Sequence, residues 1–541
     1  MRPIRAHLPA AWLALVLALL PGCGGDDNNG ASIQGLPGGI GQILRKPAYR
    51  SALWALRVVD LDTGQVIYDL HSGRPVLIGS VRKLFSVGLA LEAPGAEHVF
   101  RTPVHRRGKV NAAGVLKGDL ILVASGDLAM GGRSNPDGSF AIGNLDHNEA
   151  NALGNATLTA PDPLAGFDLL AAQVAAAGIT QVTGDVIIDE RLFEAFNFRN
   201  EFELGPMFVN DNVIDVIIDK QGAAASVDWR PKSAAFKVQS SLALGAAGSA
   251  FDLQLDPELP ACFGSTPCTG RVTGTLPADF VPPLTGAFPL IRTFRVVQPA
   301  NYARTVFIEA LARAGVAVGA AAVAPNPVGA LPERDAYVDG TRVAQLVSHP
   351  YKDYARHILK VSYNIGADTS LMLFGLSQGA RTLAGAKAAE LDALATQFGI
   401  PAGELHFIDG SGGGDTTATN EAVIRMLEGM GKRPSFPAYF DALPRLAIDG
   451  SLSFVTDFAA DPTLAGAKGQ VHAKTGTFVE GTAQGPVLKA QALAGYIDTR
   501  SGRRLAFTLA VNDVGVIPGI DGILPVFQDQ GTIAAILWKL H

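Results

Sequence analysis

The apolar positions that follow residue 50 predict two strands and then a helix. Residues 52–70, ALWALRVVDLDTGQVIYDL, hold two β-rich apolar runs on either side of an Asp-Thr-Gly turn at 62–64. Two such runs joined by a short turn of this kind are typical of a β-hairpin. From Leu84 to Leu91 the apolar residues recur at helical spacing. The helix that they predict begins at Ser80.

The middle of the chain, residues 101–340, has the pattern of short strands separated by Ala- and Gly-rich stretches. Residues 169–186, LLAAQVAAAGITQVTGDV, and residues 307–323, FIEALARAGVAVGAAAV, repeat one pattern. Each predicts an amphipathic helix that ends at a glycine and is followed by a strand. No fixed period recurs, so we expect two similar units rather than a solenoid.

From about residue 341 the pattern favours helices again, followed by strands and a last helix. The segment VAQLVSHPYKDYARHILK is helical in its spacing. Near the C-terminus, ALAGYIDTRSGRRLAFTLAVND predicts a hairpin that turns at Ser501-Gly502. The final apolar helix, QGTIAAILWKL, is predicted to cover the resulting sheet.

The composition is that of a folded protein with several domains. Of the 541 residues, 48 % are hydrophobic and 17 % are charged. The formal net charge is -6, and we find no stripe of Lys and Arg. Nucleic acid is therefore not an expected partner.

The first 23 residues, MRPIRAHLPAAWLALVLALLPGC, predict export. Two arginines precede an apolar run over 10–20 that is too short to span a bilayer comfortably. The run ends in Leu-Pro-Gly-Cys, which resembles the bacterial lipobox, where the cysteine receives lipid. Lipidation at Cys23 would anchor the protein to a membrane in the periplasm or cell envelope, whereas a plain signal peptide would leave this cysteine incidental. Residues 24–45 are rich in Gly, Asp and Asn and are predicted to form a flexible tether.

The two remaining cysteines, Cys262 and Cys268, lie close together in CFGSTPC. In an exported protein they are expected to form one small disulfide loop. A metal site is the alternative, but two further ligands are lacking nearby. We therefore expect a disulfide, no metal and no cofactor.

Three short motifs occur once each and in a fixed order: SVRK at 80–83, SYN at 362–364 and KTG at 474–476. They lie at a predicted helix start, in a helical segment and on a predicted strand. Each motif alone is weak evidence. The ordered set matches the serine acyl-transfer pattern of penicillin-binding proteins and β-lactamases.

The first motif supplies a nucleophile and a base. A serine hydroxyl is a poor nucleophile near neutral pH and needs a base within hydrogen-bond reach. Residues three apart share a helix face, so Lys83 can point at Ser80. A lysine acts as a base only when burial or a second cation lowers its pKa, and Lys474 is the candidate for that second charge.

The second motif supplies proton relay and positioning. Ser362 can pass a proton between the lysines and the leaving group. Asn364 can hold the Lys83 ammonium and a substrate amide.

The third motif supplies substrate binding. Thr475 and Thr477 can bind a substrate carboxylate, with the charge of Lys474 nearby. Gly476 is expected to let the substrate backbone approach the strand. The backbone N–H groups of Ser80 and Thr477 are candidate oxyanion donors.

Structural roles are the alternatives for the same residues. Serine is a favoured helix cap, so Ser80 alone fits a cap. Asn364 alone fits a structural amide, and Lys474 alone fits a solvated lysine at a sheet edge. His472 lies two positions before Lys474 on the same face of the strand, where contact with the site and a structural role both stay open.

On these motifs the chain resembles the D-alanyl-D-alanine carboxypeptidase/endopeptidase family, the class C low-molecular-mass penicillin-binding proteins. The distance of 282 residues from Ser80 to Ser362 leaves room for the extra domains that this family carries there and that simple β-lactamases lack. Other similar stretches are VVDLDTGQVIYDLHSGRPVLIGSVRKLFS, GDLILVASGD, VTGDVIIDE, LKVSYNIGADTSLML, IDGSGGGD, LAIDGSL and VHAKTGT. The similarity extends over most of residues 50–515.

The resemblance implies an α+β multidomain fold. A β-lactamase/transpeptidase-like domain, an antiparallel sheet flanked by helices, is expected over 46–100 and 341–541, interrupted by β-rich inserted domains over 101–340. The implied activity is that of a serine D,D-peptidase, which cleaves D-Ala–D-Ala termini or D,D-crosslinks of peptidoglycan through an acyl-enzyme on Ser80. Expected partners are peptidoglycan stem peptides, β-lactam antibiotics as acylating inhibitors, and a membrane through the N-terminal lipid.

Two features depart from the family pattern. The segment 477–495, TFVEGTAQGPVLKAQALAG, is longer than the expected strand connection and is a candidate to reshape the rim of the pocket. His472 stands where the family usually has arginine.

Two other functions compete with the peptidase hypothesis. A β-lactamase or broad esterase can use the same scaffold, although we see no E-x-x-L-N-like segment after the second motif. A catalytically inactive wall-binding lipoprotein has no need of both serines and both lysines. Turnover of a D-Ala–D-Ala peptide separates these alternatives.

Overall fold

The computed structural model of the protein describes residues 35–222, 224–264 and 266–541. The predicted export signal, Cys23 and the first part of the predicted tether lie outside these residues. The α-helices are α1 Gly38–Leu44, α2 Lys83–Ala90, α3 Ala150–Leu153, α4 Ala165–Ala176, α5 Pro299–Arg313, α6 Tyr351–Val361, α7 Asn364–Ser377, α8 Leu383–Phe398, α9 Asn420–Gly431, α10 Phe436–Ala442 and α11 Leu524–Leu540. The strands are β1 Leu53–Asp60, β2 Val66–Leu70, β3 Pro75–Leu77, β4 Val99–Val110, β5 Val115–Val123, β6 Gln181–Val182, β7 Val186–Asp189, β8 Phe196–Phe198, β9 Phe202–Leu204, β10 Val213–Gln221, β11 Ala224–Arg230, β12 Phe236–Ser240, β13 Ala243–Gly245, β14 Asp252–Asp256, β15 Cys268–Pro277, β16 Leu290–Arg295, β17 Ala317–Val318, β18 Arg342–Pro350, β19 Leu405–His406, β20 Thr417–Thr419, β21 Val471–Thr482, β22 Gly485–Asp498 and β23 Arg504–Val516.

A five-stranded antiparallel sheet, β2-β1-β23-β22-β21, joins the N-terminal and C-terminal parts of the chain. Along β1, Trp54 and Leu56 pack on the side of α1 and α11, whereas Ala55 and Val59 pack on the side of α2 and α9. The residues that β22 and β23 turn towards this second side are mostly small: Ala492, Ala494, Ala506 and Ala510. The predicted hairpins at 62–64 and 501–502 and the final covering helix are confirmed.

Helix α1 corrects the predicted extent of the tether. Gly38–Leu44 is helical, and Ile40 and Ile43 are buried in the core that α11 covers. Gly39 lies where an added Cβ would come within 3.2 Å of Ile536 Cδ1. Gly39 thus allows α1 to pack closely on α11. The prediction of a flexible tether was therefore wrong for residues 38–44.

A second large sheet lies in the inserted region, with the order β17-β6-β5-β4-β18 and with β7 beside β5. Strand β18 pairs with β4, so the segment predicted to be helical from residue 341 begins as a strand and becomes helical at Tyr351. Ala344 and Leu346 alternate into the core of the inserted region, and Pro350 favours an extended residue before it. Because β18 belongs to this sheet, the chain leaves the inserted region at Tyr351 and not at the predicted residue 341.

The two segments predicted to be similar units are indeed alike. Helices α4 and α5 are followed by Gly178 and Gly315, each with φ of 82°. The chain then enters β6 and β17, which pair in parallel. Glycine is required at both positions because other residues rarely adopt a positive φ. The helix–glycine–strand prediction is confirmed for both units.

The other inserted strands form smaller sheets. Strands β11, β10 and β16 make one sheet, and β12, β13 and β14 all pair with β15 in another. Cys262 and Cys268 are joined by a disulfide at the start of β15, with their Cα atoms 5.4 Å apart. Among the described residues, no helix has the length and apolar character needed to cross a membrane. The predicted α+β multidomain class, with a β-rich insertion, is confirmed.

Candidate active site

Ser80 and Lys83 lie where strand β3 passes into helix α2. Gly79–Arg82 forms one 3₁₀ turn, and α2 begins at Lys83. Gly79 has φ of 48°, and an added Cβ there would lie 2.9 Å from Thr477 N. The glycine therefore lets this turn, called the nucleophile turn below, pack directly on strand β21.

The amine of Lys83 is the centre of the site. The side chain is fully buried, and Nζ lies 2.6 Å from Ser80 Oγ. It also lies 2.6 Å from Asn364 Oδ1 and 2.8 Å from the Ser411 carbonyl oxygen. Three oxygen atoms thus surround one nitrogen, and one of them belongs to the predicted nucleophile.

Burial is the main cause that lowers the pKa of Lys83 to about 7, and the charge of Arg199 is the second cause. Three carboxylates act in the opposite direction: Asp409, Asp368 and Glu149. Arg199 is therefore a second cation beside Lys83, and the same role for Lys474 stays a prediction. Burial lowers the pKa of Lys474 itself well below its usual range, with the charge of Lys83 as the second cause.

The second motif lies at the junction of α6 and α7. Ser362 ends α6 in the left-handed conformation, with φ of 64°, and Asn364 begins α7. Lys474 Nζ donates to Ser362 Oγ at 2.9 Å and to the Thr475 carbonyl oxygen at 2.7 Å. All three motifs therefore meet at one place, although they are far apart in the sequence.

Gly476 faces the nucleophile turn. An added Cβ there would lie 2.0 Å from the carbonyl oxygen of Ile78 and 3.0 Å from the backbone nitrogen of Ser80. The protein's own packing therefore requires glycine here, whereas the approach of a substrate backbone at this position stays a prediction. The same packing brings the backbone of Ser80 next to that of β21, which carries Thr477.

The two threonines of the strand have protein partners. Thr475 is only 5 % exposed, and its Oγ1 lies 2.8 Å from Ser451 Oγ. Thr477 Oγ1 donates to Gln491 Oε1 at 2.7 Å. Carboxylate binding by these threonines stays a prediction, and Ser451 joins them as a hydroxyl that the motifs did not indicate.

The two departures from the family pattern have structural explanations. His472 stacks on Phe440, with ring centroids 4.0 Å apart, which is a packing role. Strand β21 continues to Thr482 and β22 starts at Gly485, so most of 477–495 consists of two paired strands. The connection itself is tight, and the prediction of a long connection was wrong because both strands are long.

A glycine-rich loop at 409–413 forms another wall of the site. The Asp409 carboxylate accepts hydrogen bonds from the backbone N–H groups of 411–413, at distances from 2.6 to 3.1 Å. Arg82, which is fully buried, donates to the Asp409 carbonyl oxygen and binds both carboxylate oxygens of Glu390. These contacts hold the carbonyl group of Ser411 that accepts from Lys83.

A model of the D-Ala-D-Ala carboxypeptidase 3 (S13) family matches residues 36–522. The chain belongs to this family. The D-alanyl-D-alanine carboxypeptidase of Actinomadura sp. (strain R39) is 27 % identical to this chain over 507 aligned residues. The alignment covers 90 % of this chain and 82 % of that protein. The family predicted from the three motifs is therefore confirmed.

Solved structures agree with this S13 fold. Penicillin binding protein 4 of Haemophilus influenzae has a TM-score of 0.65 at 19 % identity, covering 94 % of this chain and 98 % of that one. The structure of that protein complexed with a β-lactam gives the same TM-score, at 92 % and 98 % coverage. At this identity the similarity concerns the fold alone, and it agrees with the α+β multidomain class.

The inserted region of this S13 chain adds two charged groups that the sequence analysis missed. Arg199, at the tip of the β8–β9 hairpin, donates from Nη2 to Ser411 Oγ at 2.8 Å. Glu149 Oε1 accepts from Asn364 Nδ2 at 2.6 Å. Neither residue belongs to a motif, and the sequence carries no signal for them beyond the charge of their side chains.

Proposed function

We propose that this S13 chain is a serine D,D-peptidase of the cell wall, with Ser80 as nucleophile and Lys83 as its base. The contacts of Lys83 carry the proposal. Asn364 Oδ1 and the Ser411 carbonyl oxygen can only accept, so they take the two N–H groups of the neutral amine. The lone pair of the amine is then left for the hydroxyl of Ser80, which can donate.

The proposed reaction begins with attack of Ser80 Oγ on the carbonyl carbon of the penultimate D-Ala. Lys83 takes the hydroxyl proton as the C–O bond forms. The resulting oxyanion accepts from the backbone N–H groups of Ser80 and Thr477, which lie on adjoining segments. Loss of one such donor typically lowers the rate by about a hundredfold or more.

Ser362 is proposed to pass the proton to the leaving amine. Its Oγ accepts from Lys474 Nζ, which leaves the hydroxyl hydrogen of Ser362 free to be donated elsewhere. The C–N bond then breaks and the amine leaves with that proton, while protonated Lys83 returns to Ser362 the proton taken from Ser80. The acyl group stays on Ser80 until water hydrolyses the ester and restores the Ser80 hydroxyl. The leaving amine belongs to free D-Ala in the carboxypeptidase reaction and to a neighbouring stem peptide in the endopeptidase reaction.

The free carboxylate of the substrate is proposed to bind at the hydroxyl groups of Thr475 and Thr477, with Gly476 between them. Ser451 already contacts Thr475 and can share in this binding. A bound carboxylate would favour the charged form of the nearby Lys474, because an opposite charge raises the pKa of a lysine. Substrate binding would thus restore a charge that burial disfavours.

The same groups are proposed to make β-lactams acylating inhibitors. A β-lactam ring presents a strained amide to Ser80, and its nitrogen remains tethered after the ring opens. Support comes from penicillin binding protein 4 of Haemophilus influenzae, which has been solved in complex with a β-lactam.

The direct test is release of D-Ala from an acyl-D-Ala-D-Ala peptide and cleavage of a D,D-crosslinked muropeptide dimer. We expect turnover of the peptide by the wild type and none by Ser80→Ala. Ser501→Ala, at an exposed hairpin turn, is the matched control and should keep full activity. Hydrolysis of a β-lactam without any action on the peptides would instead support the β-lactamase alternative.

We also propose that the chain is exported and anchored by lipid at Cys23. The basic start, the short apolar run and the Leu-Pro-Gly-Cys end support this proposal. The anchor would hold the enzyme at a membrane next to its polymeric substrate.

A further inference from the structure

We propose that Glu149, in the inserted region, is a positioning residue that orients the Asn364 amide and so directs the Lys83 amine towards Ser80. The inference rests on the proposed function of Ser80 and Lys83. Glu149 is half-buried at the end of the 3₁₀ turn His147–Glu149, and its Oε1 accepts from Asn364 Nδ2 at 2.6 Å.

An asparagine amide has an acceptor oxygen at one end and an NH₂ group with two donors at the other, and the two ends have nearly the same shape. A rotation of the amide by half a turn therefore exchanges a carbonyl oxygen for an NH₂ group. A carboxylate can only accept, so Glu149 pairs with the NH₂ end alone. Asn364 Oδ1 is then left facing Lys83, which it contacts at 2.6 Å.

The orientation of this amide decides where the lone pair of Lys83 points. With Oδ1 towards the amine, two acceptors take the N–H groups of the neutral form and the lone pair faces Ser80. In the rotated amide, Nδ2 would donate to the amine instead. The lone pair would then be used by Asn364, and Ser80 would lose its base.

The backbone that carries Glu149 is held by a buried network of charges. Asp146 caps the 3₁₀ turn and lies 3.0 Å from Arg133 Nη1. His147 Nδ1 lies 2.6 Å from Asp215 Oδ1, and these four side chains are almost completely buried. Glu149 is therefore fixed before any substrate arrives, as preorganisation requires.

The charge of Glu149 and the orientation of the Asn364 amide should affect the rate of acylation in different ways, so an experiment can separate the two effects. Among the charged groups near Lys83, Arg199 lowers its pKa, whereas Asp409, Asp368 and Glu149 raise it. Lys474 is a further titratable group, and its own pKa is lowered by burial and then by the charge of Lys83. Loss of the Glu149 charge alone should move the pH dependence of acylation to lower pH. Loss of the amide orientation should also lower the rate on the plateau at high pH, where Lys83 is already neutral.

The experiment measures the second-order rate constant for acylation by a fluorescent penicillin across pH 5 to 9. Glu149→Met and Glu149→Ala remove the acceptor, the first with little change in volume, and Glu149→Gln keeps an acceptor without the charge. Glu203→Ala is the matched control, because Glu203 is exposed in the same region and also accepts from an asparagine, Asn197. Thermal unfolding of each variant establishes that it is folded.

We expect the plateau rate of Glu149→Met and Glu149→Ala to fall by about 10- to 100-fold, a part of the roughly 100- to 10,000-fold that a general base contributes. Glu149→Gln should stay within about threefold on the plateau, with its midpoint moved to lower pH. Equal plateau rates in the wild type and in folded Glu149→Met would overturn the inference, and so would equal losses in the Gln and Met variants. Failure of the wild type to acylate at Ser80 would refute the proposed function instead.

Discussion

At the scale of single residues, the protonation of Lys83 sets the pH range in which Ser80 reacts. Burial and Arg199 lower the pKa of Lys83 to about 7. Only the neutral amine can take a proton, so the rate of acylation should rise as the pH rises through about 7 and then level off. Rate constants for acylation by a fluorescent penicillin, measured from pH 5 to 9, check this prediction.

Asp368 is expected to ionise over the same pH range, so its effect on the rate has to be distinguished from that of Lys83. Burial raises the pKa of Asp368 to about 7, and its Oδ1 accepts from the backbone N–H of Gly410. Asp368→Asn removes this ionisation and should leave a rise in rate with pH. A pH profile that is flat from 5 to 9 in the wild type would contradict the assignment of Lys83 as base.

His357 gives a prediction about stability. It is 1 % exposed, and neither ring nitrogen has a hydrogen-bond partner among the described residues. Burial, and then the charge of Arg133, lower its pKa from 6.5 to about 4. Between these two pKa values the unfolded chain binds a proton at His357 and the folded chain does not. The free energy of unfolding should therefore fall by up to about 3 kcal/mol as the pH falls from 6.5 to 4.

His357→Phe should remove this loss, because an apolar ring of similar shape has no proton to bind. We expect the variant to gain stability over the wild type at pH 5 and to differ little at pH 8. Urea unfolding at both pH values provides the measurement. An equal difference at the two pH values would show that protonation of this residue is not the cause.

The motifs predict the reacting residues well because the chemistry needs particular side chains at short, fixed spacings. Ser80 and Lys83 are one helical turn apart, and their contact follows from that spacing. Ser411 contacts the same amine, and Arg199 and Glu149 contact the partners of that amine, only through tertiary structure. No local pattern predicts such contacts. The sequence therefore predicts a lysine with a lowered pKa but gives no sign that Arg199 helps to lower it.

At the scale of elements, strand β21 and the nucleophile turn form one packed unit. Gly476→Ala would place a Cβ 2.0 Å from the carbonyl oxygen of Ile78, which is backbone and cannot move aside easily. We expect a loss of about 1–3 kcal/mol in stability and a large loss of acylation, because the turn must shift. Thermal unfolding and acylation rates measure the two effects.

The same strand offers a matched control. Gly481 is also in β21, but an added Cβ there meets nothing within 4 Å. Gly481→Ala should therefore be as stable and as active as the wild type. Similar effects of both substitutions would mean that the contact with the nucleophile turn is not what requires Gly476.

The elements that were predicted correctly are those with a local signal. A turn between two apolar runs predicts a hairpin, and a glycine after an amphipathic run predicts the end of a helix. Helix α1 was missed because three of its seven residues are glycines, which disfavour a helix, although Ile40 and Ile43 have helical spacing. Strand β18 was missed because its partner, β4, lies more than two hundred residues away in the sequence.

At the scale of the whole molecule, the inserted region takes part in the site. We propose that the catalytic domain comprises residues 46–98 and 351–541, and that 99–350 is the insertion. Two residues of this region, Glu149 and Arg199, contact Asn364 and Ser411, which both accept hydrogen bonds from Lys83. The insertion therefore contributes to the chemistry as well as to the shape of the molecule.

The proposed anchor gives a prediction for the full-length chain. When the chain is expressed in a bacterial host fed with radiolabelled palmitate, it should carry the label and fractionate with membranes. Cys23→Ser should lose both properties, because the cysteine thiol is the only atom in the Leu-Pro-Gly-Cys sequence that can accept this lipid. An unlabelled wild type, processed and released from the membrane, would support the plain signal peptide.

The central claim is that Ser80 is the residue that becomes acylated, and intact-protein mass spectrometry after incubation with benzylpenicillin tests it most directly. We predict a stable increase in mass by one penicilloyl group in the wild type, located on the peptide that contains Ser80. Ser80→Ala should show no adduct, and Ser501→Ala should match the wild type. A wild type that neither forms an adduct nor consumes the drug would contradict the account, as would an adduct that persists in Ser80→Ala.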